Sequence, residues 1–159
     1  MSCLTRERLL ELIDYNPITG LFITRVPRGN LTVGDTIGWD SGKGYQRVLI
    51  DGERHMLHNL AFLYMTGRHP EELIDHKDID TSNNRWSNLR EASHSQNAMN
   101  KPLRSDNTTG SKGVSLTRSG NFMVRVGKKS YGCFKNLEEA SLVAVEVRSK
   151  LHGEFANHG

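Results

Sequence analysis

Leu73–His76 and Leu89–Ala92 are two short strand signals flanking a polar loop, and the second runs straight into a helix start. Residues 78–87 between them are rich in turn formers. Ser93, with Gln96 three residues on, forms a capping box, which places Asn97 in the first turns of the helix. The order strand, loop, strand, helix restricts the centre of the chain to a hairpin followed by a helix. The same stretch carries Ile74-Asp75-His76, the run Asn83-Asn84-Arg85-Trp86-Ser87-Asn88-Leu89-Arg90, and Ser93-His94-Ser95-Gln96-Asn97. An acid directly before a histidine, with asparagines downstream, can set a metal ligand beside a general base.

Ahead of this centre, Leu4–Ile13 reads as a helix, with Leu9, Leu10 and Ile13 at helical spacing and Thr5 as its cap. Asn16-Pro17 and Thr19-Gly20 make a turn. Strand signals follow at Leu21–Thr24, Thr36–Gly38 and Tyr45–Ile50, and Asp51-Gly52 is a hairpin turn with Arg54–Leu57 returning. His58–Met65 reads as an apolar helix closed by Gly67. Beyond the centre, Lys101–Gly110 has little to bury and reads as a linker. Gly113–Leu116, Phe122–Val126 and Ser130–Phe134 then alternate as a three-strand meander. Asn136 with Glu139 caps a helix over Leu137–Leu151, whose stripe of Ala140, Val143, Ala144, Val147 and Leu151 can cover one face of that sheet. The other face is expected to present Lys112, Arg125 and Lys129.

Charge is unevenly distributed. Residues 1–100 hold 11 Lys/Arg against 13 Asp/Glu, while residues 101–159 hold 10 against 5. A basic C-terminal segment favours a polyanionic partner, although a solvated surface has the same composition. The two cysteines, Cys3 and Cys133, form no CxxC pair, so no structural zinc is expected, and Cys133 is expected to be buried in its strand. Two lone cysteines, no membrane-length apolar run and no signal-peptide pattern at the start suggest an intracellular, cytoplasmic protein.

The chemistry these residues permit is phosphodiester hydrolysis. Water must lose a proton, and charge on the phosphate and leaving oxygen must be offset. His76 suits the first task because an imidazole titrates near neutrality. A hard cation suits the second, and Asp75 and Asn97 offer it a carboxylate and an amide oxygen. Adjacent strand residues point to opposite faces, so Asp75 and His76 reach one phosphate only if the strand twists or bulges. Asn88 is well placed to bond the other ring nitrogen of His76 without locking it in the charged form.

Residues His58–Asn100 resemble the HNH endonucleases and their ββα-metal motif, in the asparagine-terminated subset of phage and intron homing enzymes. Asp75, His76, Asn88 and Asn97 carry the resemblance, with His58, Gly67, Pro70 and the run from Asn84 to Arg90 as flanking pattern. Asn59 departs from it, standing where many relatives have a basic residue. The resemblance implies that His76 activates water, Asp75 and Asn97 bind one Mg²⁺ or Mn²⁺, Asn88 orients His76, and the short hairpin is strongly twisted. Asp14-Tyr15-Asn16-Pro17-Ile18-Thr19-Gly20-Leu21-Phe22 is similar to the leader of such phage enzymes. Residues 107–156 resemble the Apetala-two-type DNA-binding domain, through Gly110-Ser111-Lys112-Gly113-Val114, Gly132, Phe134 and the helix from Glu138 to Phe155.

The expected protein is thus α+β: a ββα-metal nuclease module followed by a small three-stranded antiparallel sheet packed on one helix. Its expected parts are a leader over 1–57, a nuclease core over 58–101, a linker over 102–110 and a DNA-binding domain over 111–159. The expected activity is metal-dependent nicking of double-stranded DNA by a monomer or dimer, leaving 5′ phosphate and 3′ hydroxyl. It would act in the host cytoplasm if phage-encoded, with no membrane or small-molecule partner. The alternative is a non-catalytic DNA-binding protein on a nuclease scaffold. Arg85, Arg90, Lys112, Arg118, Arg125, Lys128 and Lys129 are the candidate DNA contacts, though Arg85 and Arg90 can equally stay solvated. His58 reads as a packing or capping residue, His94 as an exposed capping-turn histidine, and Trp86 as a core anchor.

Overall fold

The computed structural model describes residues 4–42 and 44–158, so Cys3 lies outside the described residues. The chain divides into two compact units at His94/Ser95. The stretch read as a linker, 102–110, and the helix after the central hairpin both fall in the second unit.

The first unit opens with α1 (Arg6–Leu12), capped by the Thr5 hydroxyl, which accepts from the Arg8 N–H. The chain turns directly into β1 (Ile13–Tyr15), which pairs antiparallel with β2 (Phe22–Thr24). Between them, Asn16 Oδ1 accepts from the backbone of Ile18 and Thr19, as turn-forming asparagines do. A second sheet runs β3 (Trp39–Asp40), β4 (Gln46–Ile50), β5 (Glu53–Met56). The β4–β5 turn has Asp51 and Gly52 both at positive φ, the primed geometry that matches strand twist. The strand expected at Thr36–Gly38 is instead a single bridge from Thr36 to Ile23, and the paired segment begins at Trp39, where Arg47 is available opposite.

Helix α2 (Leu57–Thr66) carries Leu57, Leu60, Ala61, Phe62 and Leu63 into the core and ends at Gly67 in the left-handed region. Then come β6 (Leu73–His76) and β7 (Leu89–Ala92), paired antiparallel from Leu73 opposite Ala92 to His76 opposite Leu89. Ile74 and Leu89 join the core cluster of α1, β1, β2 and α2. Trp86 packs against that cluster, its ring 5.9 Å from Phe62, and so anchors the loop before β7.

The second unit takes in α3 (His94–Met99) from Ser95 on and continues to β8 (Val114–Leu116), β9 (Phe122–Val126) and β10 (Lys129–Phe134), an antiparallel meander. Helix α4 (Leu137–His152) is capped by the Asn136 side chain, which accepts from the Glu138 N–H at 2.7 Å. Val114, Val124, Ala140 and Ala144 form its core, with Phe122, Tyr131, Phe134, Leu137 and Val143 around them. Two sequence expectations change here. Leu151 is 54% exposed, and the buried position near the end of the helix is taken by Arg148. Cys133 is exposed, because a bulge between Ser130 and Cys133 puts it in register with Met123 on the uncovered face.

Candidate active site

His76 ends β6 and is 3% exposed. Its Nε2 lies 3.3 Å from Asn84 Oδ1. An amide oxygen only accepts, so the ring donates from Nε2 and carries its lone pair on Nδ1. Burial, the largest influence, pushes the His76 pKa below the usual imidazole value, while Asn84 and the carboxylates of Asp78, Asp75 and Asp80 oppose it. The result is a buried ring biased toward its neutral, proton-accepting form.

Asn84 is itself fixed from several sides. Its side-chain nitrogen donates to Gln46 Oε1 at 3.0 Å and to Ser82 O at 3.3 Å, and its backbone carbonyl accepts from the Tyr15 hydroxyl at 2.7 Å. Pro17 O accepts from the Trp86 N–H, so the β1–β2 turn lies against the loop that holds Asn84. Gly20, at φ +76°, makes this approach possible: a Cβ there would sit 2.6 Å from Arg85 N and 2.7 Å from Asn84 C.

Asn88, expected to orient His76, has another task. Its Nδ2 donates to Asp78 Oδ1 and Asn83 O, and its Oδ1 accepts from the Asp78 N–H. Asp78 also accepts from Asn83 and from the backbone of Asp80. Asn88 therefore closes the loop between the two strands, and Asn84 occupies the orienting position beside the ring.

A second histidine stands in the same pocket. His58, in the first turn of α2, is 8% exposed, and its ring meets that of His76 edge-on, centroids 5.3 Å apart. Tyr45 lies 5.5 Å from His58 and 6.0 Å from His76. Nδ1 of His58 is buried with no hydrogen-bond partner. Burial, and secondarily the charge of His76, lower the His58 pKa to about 4. The packing role read from the sequence thus includes direct contact with the candidate base.

Asp75 points elsewhere. It is 5% exposed and opposite Arg90 in the ladder, and its Oδ2 accepts from Arg90 Nε at 2.9 Å and lies 2.8 Å from Arg90 Nη2. Arg90 is thus an ion-pair partner of the candidate ligand, its side chain only 11% exposed, rather than an outward DNA contact. His76 meets Asn84 and Asp75 meets Arg90, as strand alternation anticipates for adjacent residues. Asn97 lies on α3 in the second unit, half-buried. Among the described residues, no cluster of three or more histidine, cysteine or acidic side chains is arranged to hold a metal. The Asp75 carboxylate has the donor chemistry of a hard-cation ligand, and a cation there would share it with Arg90.

The basic candidates separate by environment. Arg85, Arg118, Lys128 and Lys129 are exposed, as is Arg125. Arg125 pairs with Ser130 on the uncovered face of the sheet, beside Met123. Lys129 is in register with Val126, the covered side, and its ammonium lies 5.5 Å from the Tyr131 ring centroid. Lys112 is half-buried and donates to the carbonyls of Met99 and Lys101. The uncovered face therefore carries less charge than the sequence suggested.

Asn84, Gln46, Tyr45 and Tyr15 were not singled out from the sequence. Asn84 was visible as one of three nearby asparagines; the others belong to separate segments and carry no local signal. Arg90 facing Asp75 follows once the strands are aligned from Leu73 opposite Ala92.

Residues 55–99 match the family model described as HNH endonuclease. An uncharacterized HNH endonuclease of Acanthamoeba polyphaga mimivirus is 32% identical over 124 residues, which cover 74% of this chain. The chain spans 64% of that relative's length. No solved structure matches the chain significantly.

Proposed function

We propose a metal-dependent endonuclease that hydrolyses phosphodiester bonds in double-stranded DNA, in a chain whose residues 55–99 match the HNH endonuclease family model. The observation that carries this reading is the buried imidazole of His76, bonded through Nε2 to the neutral Asn84 amide. Such a ring accepts a proton at Nδ1 and is not trapped as imidazolium by a carboxylate partner. Water that has lost its proton to His76 attacks phosphorus, the bond to the 3′ oxygen breaks, that oxygen takes a proton from solvent, and the products carry 5′ phosphate and 3′ hydroxyl.

Asp75 and Asn97 remain the candidate oxygen ligands for Mg²⁺ or Mn²⁺, with Arg90 sharing the Asp75 carboxylate. The cation, when bound, supplies charge neutralisation at the phosphate and leaving oxygen. Asn84 and His58 hold the ring of His76, and Asn88 holds the loop that delivers Asn84. Arg85, Arg118, Arg125 and Lys128 are the exposed cations available to duplex DNA, and an Apetala-two-type use of the C-terminal sheet is part of the proposal. One site per chain fits nicking of a single strand, as in homing-type enzymes. A second reading, a DNA-binding protein without cleavage, is favoured by one feature: the Asp75 carboxylate already has Arg90 as its counter-charge.

Plasmid nicking separates the two. With Mg²⁺ the chain should convert supercoiled plasmid to open circle, EDTA should stop it, and His76→Ala should slow it by about 10²-fold or more with duplex binding retained. Equal rates for His76→Ala and wild type would refute the assignment. Salt-sensitive duplex binding with no metal-dependent nicking by the unaltered chain would establish the second reading.

A further inference from the structure

The last turns of α4 contain a buried cation that the proposed chemistry does not use. Arg148 is 3% exposed, and its Nε is buried without a hydrogen-bond partner. One terminal nitrogen donates to the carbonyl of Lys112. Gly113 allows this placement: a Cβ there would meet Arg125 O at 2.8 Å and Arg148 Nη1 at 3.3 Å. One turn further, His152 also has a buried Nδ1 with no partner. A cavity of about 380 Å³ opens among Lys112, Arg148, His152, Gly113, Gly127 and Ser95.

The charged groups acting on Lys112 are those of Arg148, and those acting on His152 are Lys112, Arg148 and His158. His158 in turn feels Arg148 and Lys112. Burial and mutual repulsion lower the pKa of every one of these groups that feels a neighbour. Burying a guanidinium with an unmatched N–H, beside a lysine and two histidines, costs stability unless an anion completes the arrangement. A tetrahedral oxyanion supplies what is lacking, since its oxygens accept from several converging donors at once.

We propose that this cavity is a phosphate-binding site, with Arg148, Lys112 and His152 as its donors. In the nuclease, it grips a backbone phosphate of the DNA away from the scissile bond. The second statement rests on the proposed nuclease function; the first does not. The uncovered sheet face presents Arg125 among Ser115, Met123, Ser130 and Cys133, so a fixed phosphate anchor elsewhere in the unit compensates for a lightly charged face.

The test uses the full chain in EDTA, so that neither cleavage nor metal affects the readout. Inorganic phosphate is titrated by calorimetry into wild type, Lys112→Met, His152→Gln and Arg148→Met, and short-duplex affinity is measured against salt concentration for each. Saturable phosphate binding, weakened at least about tenfold by Lys112→Met and His152→Gln, is expected. The slope of log affinity against log salt should fall in magnitude by about one in Lys112→Met. Lys112 and His152 are less buried than Arg148, so these variants keep the test valid if Arg148→Met unfolds. No saturable phosphate binding by wild type overturns the site. Phosphate binding with unchanged duplex slopes overturns the DNA contact and leaves free phosphate as the ligand. A chain that shows the slope change yet never nicks keeps this site and loses the nuclease reading.

Discussion

At the scale of single residues, the decisive choice is a neutral amide beside the candidate base. Asn84→Asp keeps the shape and adds a negative charge 3.3 Å from His76 Nε2. A carboxylate there favours the imidazolium, so the pKa of His76 should rise from its depressed position. The acid limb of the pH–nicking profile should move to higher pH accordingly, with duplex binding little changed; an unmoved limb would show that His76 is not the titrating base. The sequence displayed the candidate types clearly but not their pairing. Asn83, Asn84 and Asn88 are chemically alike, and which one meets the histidine depends on how Asp78 folds the intervening loop around itself. Asp75 shows the same limit. Its carboxylate reads from the sequence as a candidate ligand, whereas its ion pair with Arg90 depends on strand register. Removing either partner of that pair would strand a buried charge, at a cost of about 3–5 kcal/mol.

At the scale of elements, the β1–β2 turn supports the loop that holds Asn84. Gly20→Ala would force a side chain into the left-handed region and press its Cβ against the backbone of Asn84 and Arg85. The expected loss is about 2–4 kcal/mol in urea unfolding, with nicking lost in proportion to the displacement of Asn84. Retained stability and activity would show that the turn can move away from the loop at no cost. Most elements follow from local rules that the sequence carries openly: Thr5 and Asn136 as caps, Asp51-Gly52 as a turn, Gly67 as a stop. Departures occur where a local pattern competes with something distant. The strand at residues 36–38 gave way to pairing that begins with Trp39 and Arg47. The bulge in β10 turned Cys133 outward although its strand alternates. Near the end of α4, Arg148 displaced Leu151 from the apolar stripe because Gly113 leaves room for a guanidinium.

At the scale of the whole molecule, the buried histidines make stability depend on pH. His58 is held at about 4 when folded, against about 6.5 when unfolded. Between those values the unfolded chain binds more protons, so stability rises with pH through that window. It is fully present above about 6.5 and lost as pH falls toward 4, by on the order of 3 kcal/mol for this group alone. His76, shifted in the same direction, adds to the trend. Urea unfolding at pH 7.5 and pH 5 should show the loss, and His58→Asn should flatten it; equal midpoints for wild type at both pH values would contradict the burial. The mixed α+β content was readable from hydrophobic period and turn chemistry, whereas the division at His94/Ser95 lies ahead of the stretch read as a linker. The dependence of one unit's candidate site on its opening segment was not readable in this way. The region that matches the HNH endonuclease family model begins at residue 55, yet Tyr15, Gly20, Tyr45 and Gln46 all precede it and all bear on the orientation of His76. Homology and autonomy therefore have different borders here: a graft of the matched region into a foreign host would transplant the imidazole and leave behind the scaffolding that aims it.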